Sequence, residues 1–412
     1  MGYSIAAVNL KRGVKVILGD ANDAAVVAGM RKAIDEAAYD KQTRKTDPTR
    51  AATLAAAIGA AQSNGDFSDC DLVIEAVIEK PDIKRQVLGE LEAALRPDAF
   101  LASNTSTIRI AGLAEGLSRP RNFCGMHFFN PVRKMPLVEI IRGPLTSDET
   151  VVAAVAYAKR IGKTPIVVND GPGFLVNRLL SPYLNEAMVL LHEGVHWSEI
   201  DAAAVAWGMP LGPFAIYDMV GTDTSLYAGR TMWEAFPERM ILSSVLIKLM
   251  EAGRLGQKSG AGFYRYKPGD DRPLPDAAAD DVVAPAIASA RKKLRGIERP
   301  ASEDVIWRLV LPMVLEATMV LEEGLVRRVE DVDLGVVLGL GFPAFRGGVL
   351  RWADEVGRRR FWNAWNVLRS TVRARARRRC WRRWRRREHG FIRLKAKAEY
   401  GRRPLAGRTN TA

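Results

Sequence analysis

The first residues with chemical promise are Gly2 and Asp20. The chain opens Met1-Gly2, and its pattern predicts a helix over Tyr3–Leu10 and a strand over Val14–Leu18 that runs on to Asp20. A glycine at a helix start with an acid about 20 residues on is half of a dinucleotide fingerprint, the acid binding the ribose hydroxyls. No Arg or Lys directly follows Asp20, which favours NAD over its 2′-phosphorylated form. The half-motif is weak alone, because the strand and the two glycines that usually precede it do not occur in the sequence. A second chemical candidate is His127, in Met126-His127-Phe128-Phe129-Asn130-Pro131-Val132, with Val138-Glu139-Ile140 soon after. Taken by itself, a histidine beside Phe-Phe-Asn reads more often as a satisfied structural residue. His192 and His196 stand four apart, a metal-ligand spacing on a helix. With no third ligand evident they are expected at the surface, with no metal.

Residues 1–172 alternate short apolar runs with helical stretches, the signature of a parallel sheet with crossover helices. The predicted strands are Val14–Leu18, Leu72–Val77, Ala99–Ser103, Asn122–Phe128 and Thr164–Val168, apolar as strands buried on both faces should be. Helix periodicity falls on Ala24–Ala37, Ile83–Ala94 and Asp148–Ile161. Ser103-Asn104-Thr105-Ser106 follows a strand directly, at the carboxyl edge where open α/β sheets bind ligands. Ser103 or Asn104 could equally cap a helix, and Glu79 with Lys84 could be a solvated surface pair.

Residues 173–357 turn mostly helical and contain an internal repeat. Arg178, Pro182, Glu186-Ala187 and Glu193-Gly194 recur as Arg308, Pro312, Glu316-Ala317 and Glu323-Gly324, all at an offset of 130, and Asp201 meets Asp331 at the same offset. This reads as a duplicated helical unit. Asn177 has Trp307 as its counterpart, so the second copy is expected to be a structural partner that completes the domain and covers the site. The Pro-, Asp- and Ala-rich stretch from Pro268 to Pro300 reads as the linker between copies. The resulting domains are 1–172, 173–270 and 301–357, with a linker over 271–300 and a basic tail over 358–412.

The composition is that of a chain long enough for two or three domains. Its longest apolar candidate for a span, Leu309–Leu321, is broken by Glu316 and falls short of the roughly 18–20 residues that cross a bilayer. Cys70, Cys124 and Cys380 have neither disulfide nor metal spacing, which suits a reducing cytoplasm. The net charge of +14 misleads about the body of the chain. Between Arg358 and Ala412 stand 20 Lys and Arg against two acids, so residues 1–357 are slightly acidic.

Four strings in order carry a resemblance: Ser103-Asn104-Thr105-Ser106, the run from Met126 to Val132, Val138-Glu139-Ile140, and Gly171-Pro172-Gly173-Phe174-Leu175-Val176-Asn177-Arg178. Together they resemble the 3-hydroxyacyl-CoA dehydrogenase family. The duplicated helical unit resembles the bacterial multifunctional fatty-acid oxidation α-subunit and its relatives. The resemblance covers roughly residues 1–357. It implies a Rossmann-type α/β domain, lacking its first strand, followed by two related all-α domains like the C-terminal domain of 6-phosphogluconate dehydrogenase. It implies NAD-dependent oxidation of an L-3-hydroxyacyl-CoA to a 3-ketoacyl-CoA. The runners-up are a short-chain 3-hydroxybutyryl-CoA dehydrogenase and an inactive fragment.

Residue by residue, the resemblance makes His127 the general base and Glu139 the carboxylate that holds its imidazole. A buried carboxylate in that position fixes the tautomer and stabilises the imidazolium. Ser106 and Asn177 match the polar groups around the substrate's C3 oxygen. Asn130, Glu79, Lys84 and Lys258, the last in Gly256-Gln257-Lys258-Ser259-Gly260, match cofactor-contacting positions, as do Gly2, Asp20 and Ser106. The implied partners are acyl-CoA, a thiolase subunit and further copies in a complex, with no membrane span and no nucleic acid.

Two departures from the family carry expectations. Without the first strand, its neighbours should lack a partner and NAD should bind poorly; the upstream reading frame is expected to supply a strand ending in Gly-X-Gly, and a hydratase domain before it. Beyond Arg358 family-like sequence is expected to stop, and Arg-Trp blocks suggest a shifted reading frame, or else an arm for nucleic acid or a membrane surface.

Overall fold

The computed structural model describes residues 1–293, 298–357 and 359; the basic tail lies otherwise outside the described residues. Helix α1 (Gly2–Lys11) leads into strand β1 (Val16–Leu18). Helix α2 (Asp23–Ala38) starts where Asn22 accepts the backbone N–H groups of Ala24 and Ala25, satisfying donors that a helix start leaves orphaned. Strand β2 (Ile58–Ala60) pairs in parallel with β1, forming a two-stranded sheet.

The larger sheet runs β3 (Leu72–Glu75), β4 (Phe100–Ser103), β5 (Phe123–Phe128), β6 (Leu137–Arg142), β7 (Thr164–Asn169), in that spatial order. Helices α3 (Pro81–Ala94) and α4 (Asp148–Arg160) flank it. Ser147 caps α4, whose first turn carries Asp148 and Glu149 and whose last carries Lys159 and Arg160, each sign at the dipole end that favours it. Strands β1 and β3 belong to separate sheets, so the expected gap between the strands flanking the dinucleotide turn is present.

The sequence predicts a parallel sheet, and β5 and β6 correct that expectation: they pair antiparallel. The reason is length. Phe128 and Leu137 are joined by a short loop through a cis Asn130–Pro131 bond, whereas a parallel crossover needs a dozen or more residues. The consequence is chemical, because this register sets His127 directly opposite Glu139.

The helical half begins with α5 (Val176–His192), α6 (Trp197–Trp207) and α7 (Pro213–Val220). The stretch expected to be a linker is not plain coil. It holds a strand over Asp270–Leu274, paired with Arg265–Lys267, and helix α8 (Ala277–Lys293) with Pro285 inside it. Helices α9 (Ser302–Glu322), α10 (Val329–Leu340) and α11 (Val349–Val356) follow. Helices α5 and α9 are the two copies of the repeat, and they meet reciprocally. Arg178 near the start of α5 binds Glu316 (2.9 Å) and Glu323 (2.5 Å) at the end of α9 and just beyond it. Arg308 near the start of α9 binds Glu186 (2.6 Å) and Glu193 (2.8 Å) at the end of α5 and just beyond it. Start meets end in both directions, so the helices pack antiparallel about a local two-fold relation.

The repeat's register slips after these helices. Asp201 accepts the Phe214 and Ala215 N–H groups at the start of α7. The residue that does this for α11 is Asp333, through Leu350 and Arg351, rather than Asp331. Glycines confirm the alignment: a Cβ on Gly212 would strike Asp201, and one on Gly348 would strike Asp333. Trp307, the counterpart of Asn177, packs at a tilt of 39° against Trp352, 5.6 Å between rings, and Trp352 packs edge-on to Trp207.

Candidate active site

His127 is the penultimate residue of the buried strand β5 and is itself 4% exposed. Its Nδ1 lies 2.6 Å from Glu139 Oε2, on the neighbouring strand. The second oxygen of Glu139 accepts the backbone N–H groups of Leu175 and Val176, each at 3.0 Å. Both donors open α5, where unpaired N–H groups and the helix dipole favour an anion. Fully buried Glu139 therefore has the three donors that an ionised carboxylate needs inside a protein. The Nδ1 proton is committed to it, which leaves Nε2 as the nitrogen able to take another. Phe129 and Phe174 flank the imidazole with ring centroids at 4.4 and 5.9 Å. Phe174 adopts a positive φ of 48° next to Gly173 at 70°, so the turn into α5 is tight on the side facing the histidine.

The other candidates gather around the loop after β4. Asn177 donates to the Ser106 carbonyl (3.1 Å), bringing the two expected substrate-facing residues together. Glu79 fixes that loop from the opposite side: its Oε1 accepts from Thr105 Oγ1 (2.6 Å), Ser106 N (2.8 Å) and Thr107 N (3.2 Å). Neither Ser103 nor Asn104 caps a helix. Ser103 donates to Glu75, and Asn104 accepts the Phe128 N–H, tying the β4 loop to the residue after His127. Asn130 is exposed at the loop that follows.

Lys84 corrects two expectations. It is not a surface residue, since its side chain is fully buried, and its ammonium is spent on Glu75 (2.8 Å) and the carbonyls of Val77 and Asn104, with Glu79 at 3.5 Å. Direct contact with a cofactor does not fit that burial; Lys84 instead pins the carboxyl ends of β3 and β4. The sequence gives no sign of this, because a lysine three residues into a helix usually points to water. Lys258 is exposed and ion-paired with Asp223 (2.5 Å), both within the helical half. Lys163 was missed altogether: its ammonium donates to the carbonyls of Val132 and Met135 and so ties down the loop after Asn130.

The two helix-spaced histidines also divide. His192 ends α5, is buried against Ser243, and is pushed down to about 4 by burial. His196 is not on the same helix: its ring caps α6 and binds Asp280 (2.9 Å). Among the described residues no group of three or more His, Cys, Asp or Glu could hold a metal ion, and no helix is long and apolar enough to cross a membrane.

Gly2 opens α1, and a Cβ there would meet nothing nearer than the Ala76 methyl at 4.0 Å. Asp20 lies exposed just past the end of β1, with no hydrogen bond or ion pair to any described residue. An open helix start and a free acid fit the pyrophosphate and a ribose of a dinucleotide.

Comparison with known proteins bears on the whole arrangement. The family model for the 3-hydroxyacyl-CoA dehydrogenase NAD binding domain matches residues 1–171, and that for the 3-hydroxyacyl-CoA dehydrogenase C-terminal domain matches 173–266 and 305–401. The second match runs past Arg358, where the sequence reading ended the family-like region. A fatty acid oxidation complex subunit alpha of Pseudomonas aeruginosa (strain LESB58) is 41% identical over 362 residues, 87% of this chain and 50% of the relative. The chain thus spans about half the length of the curated relatives it matches. The (S)-3-hydroxybutyryl-CoA dehydrogenase PaaH1 of Ralstonia eutropha is 38% identical with a TM-score of 0.61, covering 65% of this chain and 95% of that one. An Escherichia coli 3-hydroxybutyryl-CoA dehydrogenase, 24% identical, shares the fold over 97% of both chains with a TM-score of 0.76. With both halves matched in order and the paired His127 and Glu139 at their junction, the chain belongs to the 3-hydroxyacyl-CoA dehydrogenase family.

Proposed function

We propose that this chain oxidises the 3-hydroxyl of an L-3-hydroxyacyl-CoA to a ketone, with NAD as hydride acceptor. The observation that carries the reading is the chain of contacts from Leu175 and Val176 through Glu139 to His127, which leaves one imidazole nitrogen uncommitted at the carboxyl end of the central strand β5. NAD, when bound, supplies the electrophilic ring that receives hydride from C3. Gly2 and Asp20 would hold it at the α1 start, with Asn130 and Ser106 at its nicotinamide end. His127 Nε2 takes the hydroxyl proton as the ketone forms, and Glu139 stabilises the positive ring. Asn177 and Ser106 would orient the C3 oxygen.

The expected in-vivo setting is β-oxidation in the cytoplasm, in an assembly where a thiolase consumes the product. That relatives are named as subunits of a fatty acid oxidation complex supports this. A preference for a four-carbon acyl chain is the second reading, favoured by the likeness to 3-hydroxybutyryl-CoA dehydrogenases. Turnover of acetoacetyl-CoA with NADH tests the activity, and a series of longer 3-ketoacyl-CoA substrates separates the two readings. In His127→Gln, kcat should fall by orders of magnitude while acyl-CoA still binds. Near-normal turnover in that variant would remove His127 as the base.

A further inference from the structure

Helix α10 belongs to the second repeat, which carries none of the residues assigned above to substrate or cofactor. Its interior nevertheless contains Gly335 and Gly339, one helical turn apart. Glycine inside a helix is unfavourable, so it calls for a packing reason. At these two positions the neighbours supply one. A Cβ on Gly335 would stand 2.9 Å from Leu175 Cδ2 and 3.5 Å from Ile166 Cδ1. A Cβ on Gly339 would stand 2.9 and 3.0 Å from the two methyls of Val176 and 3.0 Å from Leu137 Cδ2.

These four residues all surround one carboxylate. Leu175 and Val176 supply the N–H groups that hold Glu139. Ile166 is its cross-strand partner on β7, and Leu137 lies two residues before it on the same face of β6. The equivalent helix of the first repeat, α6, aligned on Asp201 and Asp333, has Ala203 and Trp207 at the corresponding places. The glycine pair is therefore a feature of the copy that lies against the sheet, not of the repeat unit.

We infer that α10 is a positioning element for the reaction. By seating glycines on Leu175, Val176, Leu137 and Ile166 it seals Glu139 from beneath. It sets the backbone donors that aim the carboxylate at His127. The second repeat thus supports the imidazole from behind. Val176 is the critical contact because both its methyls face Gly339 and a β-branched side chain has no free rotamer to retreat into.

The inference rests on His127 being the base, and the test separates the two. Gly339→Ala, Gly339→Ala with Val176→Ala, and His127→Gln are made in the full chain. The readouts are the downfield NMR resonance of the His127 Nδ1 proton, assigned by its loss in His127→Gln, and the split between kcat and KM. Gly339→Ala should displace or broaden that resonance and lower kcat at least tenfold with KM for acyl-CoA changed less than threefold. Adding Val176→Ala should restore both. If Gly339→Ala does not fold, Gly335→Ala against the more flexible Leu175 is the second probe, with a smaller displacement in the same direction. An unmoved resonance with unchanged kcat, or a loss that Val176→Ala fails to rescue, overturns the positioning role. A displaced resonance alongside full activity in His127→Gln would instead leave α10 as a positioner and refute the base assignment.

Discussion

At the scale of single residues, the dyad depends on which atom of Glu139 does what. One oxygen faces His127 and the other takes two backbone donors, so the carboxylate's charge matters more than its shape. In Glu139→Gln the amide oxygen can keep the Leu175 and Val176 bonds, which turns an NH2 group toward Nδ1. The imidazole must then accept there, and Nε2 becomes the protonated nitrogen, useless as a base. The expected loss in kcat is about 10²–10⁴, with KM for the acyl-CoA nearly unchanged. Steady-state kinetics check it; a loss below threefold would mean Glu139 does not set the tautomer. His127, Glu139, Ser106 and Asn177 were legible in the sequence because each sits in a string that keeps its order and spacing. Lys84 and Lys163 were not. Their burial depends on carbonyls from three separate segments that only the fold brings together.

At the scale of elements, strands and helices were legible where apolar runs or amphipathic periods are clean. The antiparallel β6 was not expected, although the short connection after Phe128 held the information. Helix α8 was hidden by Pro285 and its acidic residues, since composition read as linker while packing of Ala279 and Val283 made a helix. The end of α5 carries a testable consequence. Burial holds His192 neutral, pushing it down to about 4 from an ordinary value near 6.5. A histidine depressed in the folded state binds fewer protons than in the unfolded chain between those limits. Its contribution is therefore complete above about pH 6.5 and is lost as pH falls toward 4, by at most about 3 kcal/mol. Urea denaturation at pH 7 and pH 4.5 should show a larger acid loss in the native chain than in His192→Gln. Parallel losses in the two would place the acid sensitivity elsewhere.

At the scale of the molecule, the two repeats behave as one body because their charges cross. Arg308 is almost fully buried between Glu186 and Glu193 of the other copy, and Arg178 likewise against Glu316. The identical offset of these residues and Glu323 was visible in the sequence, yet their reciprocal pairing was not, since a repeat does not say whether its copies touch each other or a third element. Removing one cation from such a site strands its carboxylates in a medium that cannot solvate them. Arg308→Leu should therefore cost about 3–5 kcal/mol. Glu316→Gln should cost less, because Arg178 keeps Glu323. The crossing also predicts the form of the transition. With each copy's arginine held by the other's glutamates, neither repeat can unfold while the other keeps its buried charges paired. Denaturation followed by fluorescence from the Trp207, Trp307 and Trp352 cluster, and separately by far-UV circular dichroism, should give coincident midpoints that Arg308→Leu lowers together. Two resolved transitions in the helical half, or a change in Arg308→Leu of less than about 1 kcal/mol, would show that the repeats stand independently and that apolar packing alone joins them.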